Sequence, residues 1–304
     1  MELTADSNSH AERLRVRRWA LAWVSAGLCV VLLVWLVGNG AASRNPPVLR
    51  VALPPDMAPE RATARYGGLI AYLSERVGVP VRIEMAHSYQ DLIDEFAAGR
   101  VDMARFGGAS YVIAHERAGA VPLVTREVDS RFTTLFVARS GGEVRTLSEF
   151  AAHVMAFGDP LSTSGHLMPR HHLRQLGIDP EQYFTHILFT GAHDATAFAV
   201  LSGKADLGAV NGVVLNQMLR DGSLPPGAIQ VVWESPPYPN YVWAVSPRLR
   251  TDLADRLRDA FLALSMEQPE QAAVLEAAGT STYLPAVGIE LDSIRQAVME
   301  QGLL

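Results

Sequence analysis

Thiol chemistry is almost absent from this sequence. Its single cysteine, Cys29, lies in an apolar N-terminal run, and the rest of the 304 residues have none. The body therefore holds no disulfide, no cysteine-type zinc site and no cysteine nucleophile. Such a body is compatible with an oxidising compartment. Positive charge is also short: 26 basic residues stand against 32 acidic ones, a net charge of −6. That excludes the basic surface required for non-specific nucleic-acid binding. No Gly-x-Ser-x-Gly elbow, internal repeat or low-complexity tract occurs. What the chain does have is length for two domains and 49% hydrophobic residues, enough for a substantial core.

The N-terminus divides into three parts. Residues 1–18 form a polar tail ending in Arg13, Arg15, Arg17 and Arg18. Residues 19–38 carry no charge and are about long enough to cross a bilayer as a helix. The arginines predict a cytoplasmic N-terminus and an exported body. An uncleaved anchor on the periplasmic face of the inner membrane is the favoured expectation. A signal peptide cut near Gly40-Ala41-Ala42-Ser43, releasing a soluble periplasmic protein, is the alternative. Residues 39–47, with Pro46-Pro47, read as a linker.

From residue 48 onward, short apolar runs alternate with helical patterns: a strand at 48–53, a helix at 61–77, a strand at 81–85, a helix at 89–98, a strand at 101–106. This alternation predicts α/β units with largely parallel sheets. The chain is expected to cross to a second lobe near Thr133–Ala138 and return near Tyr241. That gives a first lobe of 48–135 plus 240–304 and a second of 136–239. Ligands of such sheets bind beyond the carboxyl ends of strands. The turns 106–110, 159–165, 191–194 and 211–213 lie at such ends and would converge on a cleft between the lobes.

One of these turns stands out. His153–Phe157 reads as a strand and Leu167–Leu176 as a helix, with Asp159-Pro160-Leu161-Ser162-Thr163-Ser164-Gly165 between them. Three hydroxyls and a glycine at a strand-to-helix turn suit an anion with several oxygens, because a helix N-terminus offers free N–H groups and positive potential. An ordinary serine-rich N-cap is the competing reading.

A family resemblance follows from several stretches together. Tyr66-Gly67-Gly68-Leu69, Gly78-Val79-Pro80-Val81, Ser88-Tyr89, Gly99–Gly107, Asp159–Gly165, Gly191-Ala192-His193-Asp194-Ala195 and Gly203-Lys204-Ala205-Asp206 resemble the phosphonate-binding protein family. These are the solute receptors of phosphate, phosphonate and phosphite ABC importers. The likeness spans roughly residues 48–300. It implies a type II periplasmic-binding-protein fold, two α/β lobes with a hinge and an interlobe cleft, here preceded by the N-terminal transmembrane helix. It implies that Ser162, Thr163 and Ser164 hold the oxyanion, that His193 reaches it, and that Tyr89 and Phe106 close over it. Asp194 and Gly165 would support these residues, Asp194 most simply as a helix cap. The anion-holding groups are expected to face an open cleft. No cofactor and no metal are implied.

The sequence also departs from the family pattern. Members that take aminoalkylphosphonates carry two acids for the amine, and the matching positions are Val213 and Tyr241. Neither balances a buried ammonium. A small oxyanion, or one with an uncharged substituent, is therefore expected. Arg105, on the strand before Phe106, is a second candidate for positive charge. The expected partner is an ABC permease; a histidine kinase reading the closed form is the alternative. A hydrolase built on Ser164, His193 and Asp194 is disfavoured, since adjacent residues rarely orient as base and orienter. His166, His171 and His172 are scattered round a helix by their spacing and are not expected to share a metal.

Overall fold

The structure is a computed structural model that describes residues 48–141 and 146–304. The expected tail, membrane segment and linker at 1–47 lie outside the described residues. Among the described residues no helix is long and apolar enough to cross a membrane.

Helix α1 (Pro59–Val77) shows how local sequence sets each element. Ala62, Tyr66, Leu69, Ile70, Leu73 and Val77 recur at helical spacing and are all buried. Gly78 ends the helix at φ 67°, a left-handed conformation that disfavours a side chain, and its N–H returns to Ser74 O. Helix α2 (Tyr89–Ala97) starts at Ser88, whose hydroxyl accepts from Asp91 N at 3.0 Å.

Two mixed sheets result. The first has the order β11-β4-β10-β3-β1-β2. Its strands are β1 (Leu49–Leu53), β2 (Val81–Met85), β3 (Met103–Phe106), β4 (Val121–Arg126), β10 (Val242–Val245) and β11 (Tyr283–Pro285). Strands β1, β2 and β3 run parallel, while β10 runs antiparallel to β3 and β4. The second sheet has the order β7-β6-β8-β5-β9. It comprises β5 (Thr134–Arg139), β6 (Val154–Phe157), β7 (His186–Phe189), β8 (Leu207–Asn211) and β9 (Ile229–Glu234). Only β6, β7 and β8 are mutually parallel; β5 is antiparallel to both its neighbours.

Two features differ from the sequence reading. A boundary at 135 would cut β5, yet that strand pairs along its length with β8 and β9 and belongs wholly to the second sheet. The crossing therefore precedes Thr134, and Phe132 and Tyr238 join the two crossing segments in an antiparallel bridge. Strands β4 and β11 were not expected. Pro122 and Pro285 hide their strand character, but Pro122 sits beside a register shift opposite β10, and β11 lies at the sheet edge.

Apolar cores cover both faces of each sheet. One of them unites the lobes: Leu167 and Met168 of the second pack with Ala109, Ile113 and Ile294. Helix α3 (Gly108–Ala118) and the last helix, α10 (Asp292–Glu300), belong to the first-lobe side. Helix α10 packs against α3 and also against α4 (Met168–Gln175) of the second lobe.

Candidate anion-binding site

The hydroxyl-rich turn is more than a cap. Thr163–Leu167 forms a π-helical turn that runs directly into α4, so the helix begins inside the Ser-Thr-Ser sequence and not at Leu167. Ser162 is its N-cap, accepting from Gly165 N at 3.0 Å, and Ser162 O accepts from both His166 N and Leu167 N. The backbone N–H groups of Thr163 and Ser164 donate to no described residue. They stand free at the positive end of the helix.

His193 is held against this turn. It opens α6 (His193–Leu201), directly beyond β7. Asn211 N donates to its Nδ1 at 3.3 Å, which places the ring proton on Nε2. Nε2 lies 3.4 Å from Ser164 Oγ. Burial pushes the His193 pKa down to about 4, against the opposing pull of Asp56 and Asp194. The ring is therefore neutral near pH 7 and donates one N–H. Gly165 makes the approach possible: a Cβ there would lie 3.1 Å from His193 Cε1 and 2.9 Å from Ser162 Oγ.

The first lobe closes over this turn. Thr163 Oγ1 accepts from Ala109 N, at the start of α3, at 2.9 Å. The Tyr89 phenol comes close to the Ser162 side chain across the cleft. Further out, Arg61 on α1 meets Ser223 at 3.2 Å and Asp221 at 3.6 Å. His171 of α4 contacts Glu300 of α10 at 3.1 Å. The expectation of an open cleft is thus replaced by a closed one: Ser162, Thr163, Ser164, Tyr89 and His193 are all buried.

A likeness to one family decides what kind of protein this is. The model for "ABC transporter, phosphonate, periplasmic substrate-binding protein" matches residues 51–288. The chain belongs to that family. It is a periplasmic solute-binding component of an importer and not an enzyme. It is similar to the probable phosphite-binding protein PhnD1 of Prochlorococcus marinus, at 25% identity over 87% of this chain and 93% of the relative. The phosphate-import protein PhnD of Mycolicibacterium smegmatis is 29% identical over 78% of this chain and 80% of its own length. The solved structure of Prochlorococcus PhnD1 with methylphosphonate superposes with a TM-score of 0.79, covering 86% of this chain and all of that one.

Within this family member, several residues lie elsewhere than the sequence reading put them. Phe106 is fully enclosed and packs edge-on against Phe96 at 5.1 Å, as part of an apolar core. Asp194 is no cap. Ala192 holds that position, and Asp194, in the first turn of α6, accepts from Ala195 N and from no other described residue. The three histidines of the turn and α4 have other partners: His166 has Pro160 O and Arg170, His171 has Glu300 and Gln175, and His172 has the same Gln175. Among the described residues no group of three potential ligands could hold a metal.

The structure also adds residues. Asp56, in the loop after β1, is 2% exposed and accepts from Arg105 Nη1 at 2.8 Å. The Arg105 guanidinium stacks on the Tyr241 ring at 3.6 Å, and its Nε has no partner among the described residues. Tyr241 carries φ +37°, a strained conformation for a bulky residue. It is pinned by Asn240 Oδ1 accepting from its N–H, by Thr125 Oγ1 donating to its carbonyl and by Asn211 Nδ2 donating to its hydroxyl. Asp56 lies within Pro54-Pro55-Asp56, at the carboxyl end of β1, and that position was its only signal in the sequence.

Proposed function

We propose that the cleft captures a small phosphorus oxyanion: methylphosphonate, phosphite or phosphate. The Ser162, Thr163 and Ser164 hydroxyls, the two free N–H groups of the turn, His193 Nε2–H and the Tyr89 phenol hold its oxygens. The observation that carries this reading is the convergence of neutral donors from both lobes on one helix N-terminus, with no lysine among them. Such donors replace the lost water of an anion without a buried counter-charge.

The substituent end of the ligand meets Tyr241 and Val213, with Arg105 stacked behind Tyr241. The carboxylate next to this end, Asp56, is already paired with Arg105, and that guanidinium repels an ammonium. Calorimetric titration is expected to show methylphosphonate binding at least about tenfold tighter than 2-aminoethylphosphonate. A preference for the amine-bearing ligand would assign that end of the cleft differently.

The uncharged run 19–38 behind four arginines supports a retained membrane anchor. Protein extracted from membranes is then expected to begin at or near Met1 and to require detergent. A soluble form beginning near Ala42 would mean cleavage.

A further inference from the structure

Charge does not balance inside the first lobe. Among the described residues three arginines are buried there, Arg65, Arg105 and Arg126, against two acids, Asp56 and Asp129. Asp129 accepts from Arg126 Nε at 2.6 Å and Nη2 at 2.7 Å, and Asp56 accepts from Arg105 Nη1 at 2.8 Å. Arg65 is left over. It is 9% exposed, and its guanidinium makes no hydrogen bond or ion pair with any described residue. A second guanidinium lies close by: a Cβ on Gly279 would be 2.8 Å from Arg65 Nη2 and 3.6 Å from Arg126 Nη1.

Unpartnered donors gather in the same place. Six buried side-chain atoms lack a partner among the described residues, and four of them belong to one patch: Tyr66 Oη, Trp243 Nε1, Tyr283 Oη and Arg105 Nε. The first sheet and helix α1 bring these groups together. Arg105 and Trp243 are ladder partners on β3 and β10, and Arg126 and Tyr283 are ladder partners on β4 and β11. Tyr66, next to Arg65 on α1, meets Trp243 edge-on at 5.7 Å, and Arg105 lies over its ring at 5.3 Å. Phe261 joins Trp243 to Tyr283, with ring centroids 5.4 and 4.9 Å away. Neither Arg65 nor any of the four atoms bonds the Ser-Thr-Ser turn.

Ordered water satisfies lone donors, but it does not neutralise a charge. A buried guanidinium without a counter-charge is costly. A small anion meets both needs, because it offsets the third arginine and accepts from hydroxyl, indole and guanidinium groups. Its charge is single, since the surplus is one. Its radius is small, since the rings of Tyr66, Trp243, Phe261 and Tyr283 close round the patch.

We propose that Arg65, Tyr66 and Tyr283 form a second anion site, separate from the oxyanion turn, that takes a small monovalent anion of the halide class. The ion is a structural counter-charge of the first lobe and not the imported solute. The small exposed part of Arg65 gives it a way in. The site is independent of which oxyanion the cleft captures.

Thermal melts of the full-length protein test this, with chloride exchanged for gluconate at constant ionic strength. Gluconate is too large to enter. Methylphosphonate is present throughout, so that chloride does not compete at the turn. The wild type is expected to melt at least about 3 °C higher in ~200 mM chloride than in gluconate. In Arg65→Met the surplus charge is gone, and that difference should fall below about 1 °C. Tyr283→Phe keeps the charge and loses one hydroxyl donor. It should raise the chloride concentration giving half the shift by roughly tenfold. Bromide should replace chloride, and its anomalous scattering in crystals should place the ion within hydrogen-bond reach of the Arg65 guanidinium.

Equal melting of the wild type in chloride and gluconate overturns the proposal. So does an undiminished chloride shift in a folded Arg65→Met, or bromide found only at the Ser-Thr-Ser turn or the outer surface. Should Arg65→Met fail to fold, the Tyr283→Phe titration and the bromide position decide.

Discussion

Thr163→Ala and His193→Ala are each expected to weaken methylphosphonate binding by roughly ten- to a hundredfold. Each removes one hydrogen bond to a charged acceptor, which contributes on the order of 1.5–3 kcal/mol, and about 1.4 kcal/mol is a factor of ten. Thr163 should fall at the upper end. Its hydroxyl accepts from Ala109 N of the opposite lobe, so its own O–H remains for the anion and is polarised by the bond it accepts. Deleting it removes both an anion donor and a contact that holds the cleft shut. Thr163→Ser should recover most of the loss. His172→Ala serves as a control, because that ring lies against Trp233 and Tyr238 and not at the turn. Titration calorimetry gives the affinities, and thermal melts report folding. Unchanged affinity in both Thr163→Ala and His193→Ala would remove this turn as the anion site.

The largest effect on stability is expected at Arg105. Arg105→Met leaves Asp56 as an uncompensated buried charge, which typically costs about 3–5 kcal/mol. For a chain of this size that corresponds to a fall of roughly 6–20 °C in melting temperature. The double variant with Asp56→Asn should recover a large part of the loss, because the charge that made the single variant costly is gone. Equal destabilisation by the single and the double variants would mean that packing of Arg105 on Tyr241, and not its pairing with Asp56, is what the fold depends on.

Much of this architecture is legible in the amino-acid sequence. The helical stripe of Ala62, Tyr66, Leu69, Ile70 and Leu73, and the stop at Gly78, specify α1 through spacing alone. The Ser-Thr-Ser turn was readable as a helix start, because hydroxyl residues at a strand-to-helix junction cap the free N–H groups there. What escaped the sequence did so for physical reasons. Strand β4 carries a proline, tolerated only because a register shift stands beside it. Phe106 and Arg105 are neighbours on one strand, so they point to opposite faces, and phase alone did not tell which face meets the cleft. The π-turn moves the start of the helix back to Thr163, which no residue preference signals. Asp56 was invisible because its meaning depends on Arg105, 49 positions along the chain.

The placement of β10 bears on the order in which the chain can acquire its structure. Strands β5 to β9 form one uninterrupted stretch, so the second lobe has all its strands as soon as Glu234 has emerged. The first lobe does not. Strand β10 lies between β3 and β4, with Val245 opposite Val121 and opposite Met103. Until β10 arrives, β4 lacks both of its ladder partners, β10 and β11, and β3 is paired on one side only. A chain that emerges N-terminus first therefore completes its later lobe before its earlier one, leaving an unsatisfied strand edge exposed in the meantime. The insertion that creates a two-lobed receptor thus also creates a slow, aggregation-exposed interval during its biogenesis, which ends only when the last strands reach the gap kept for them.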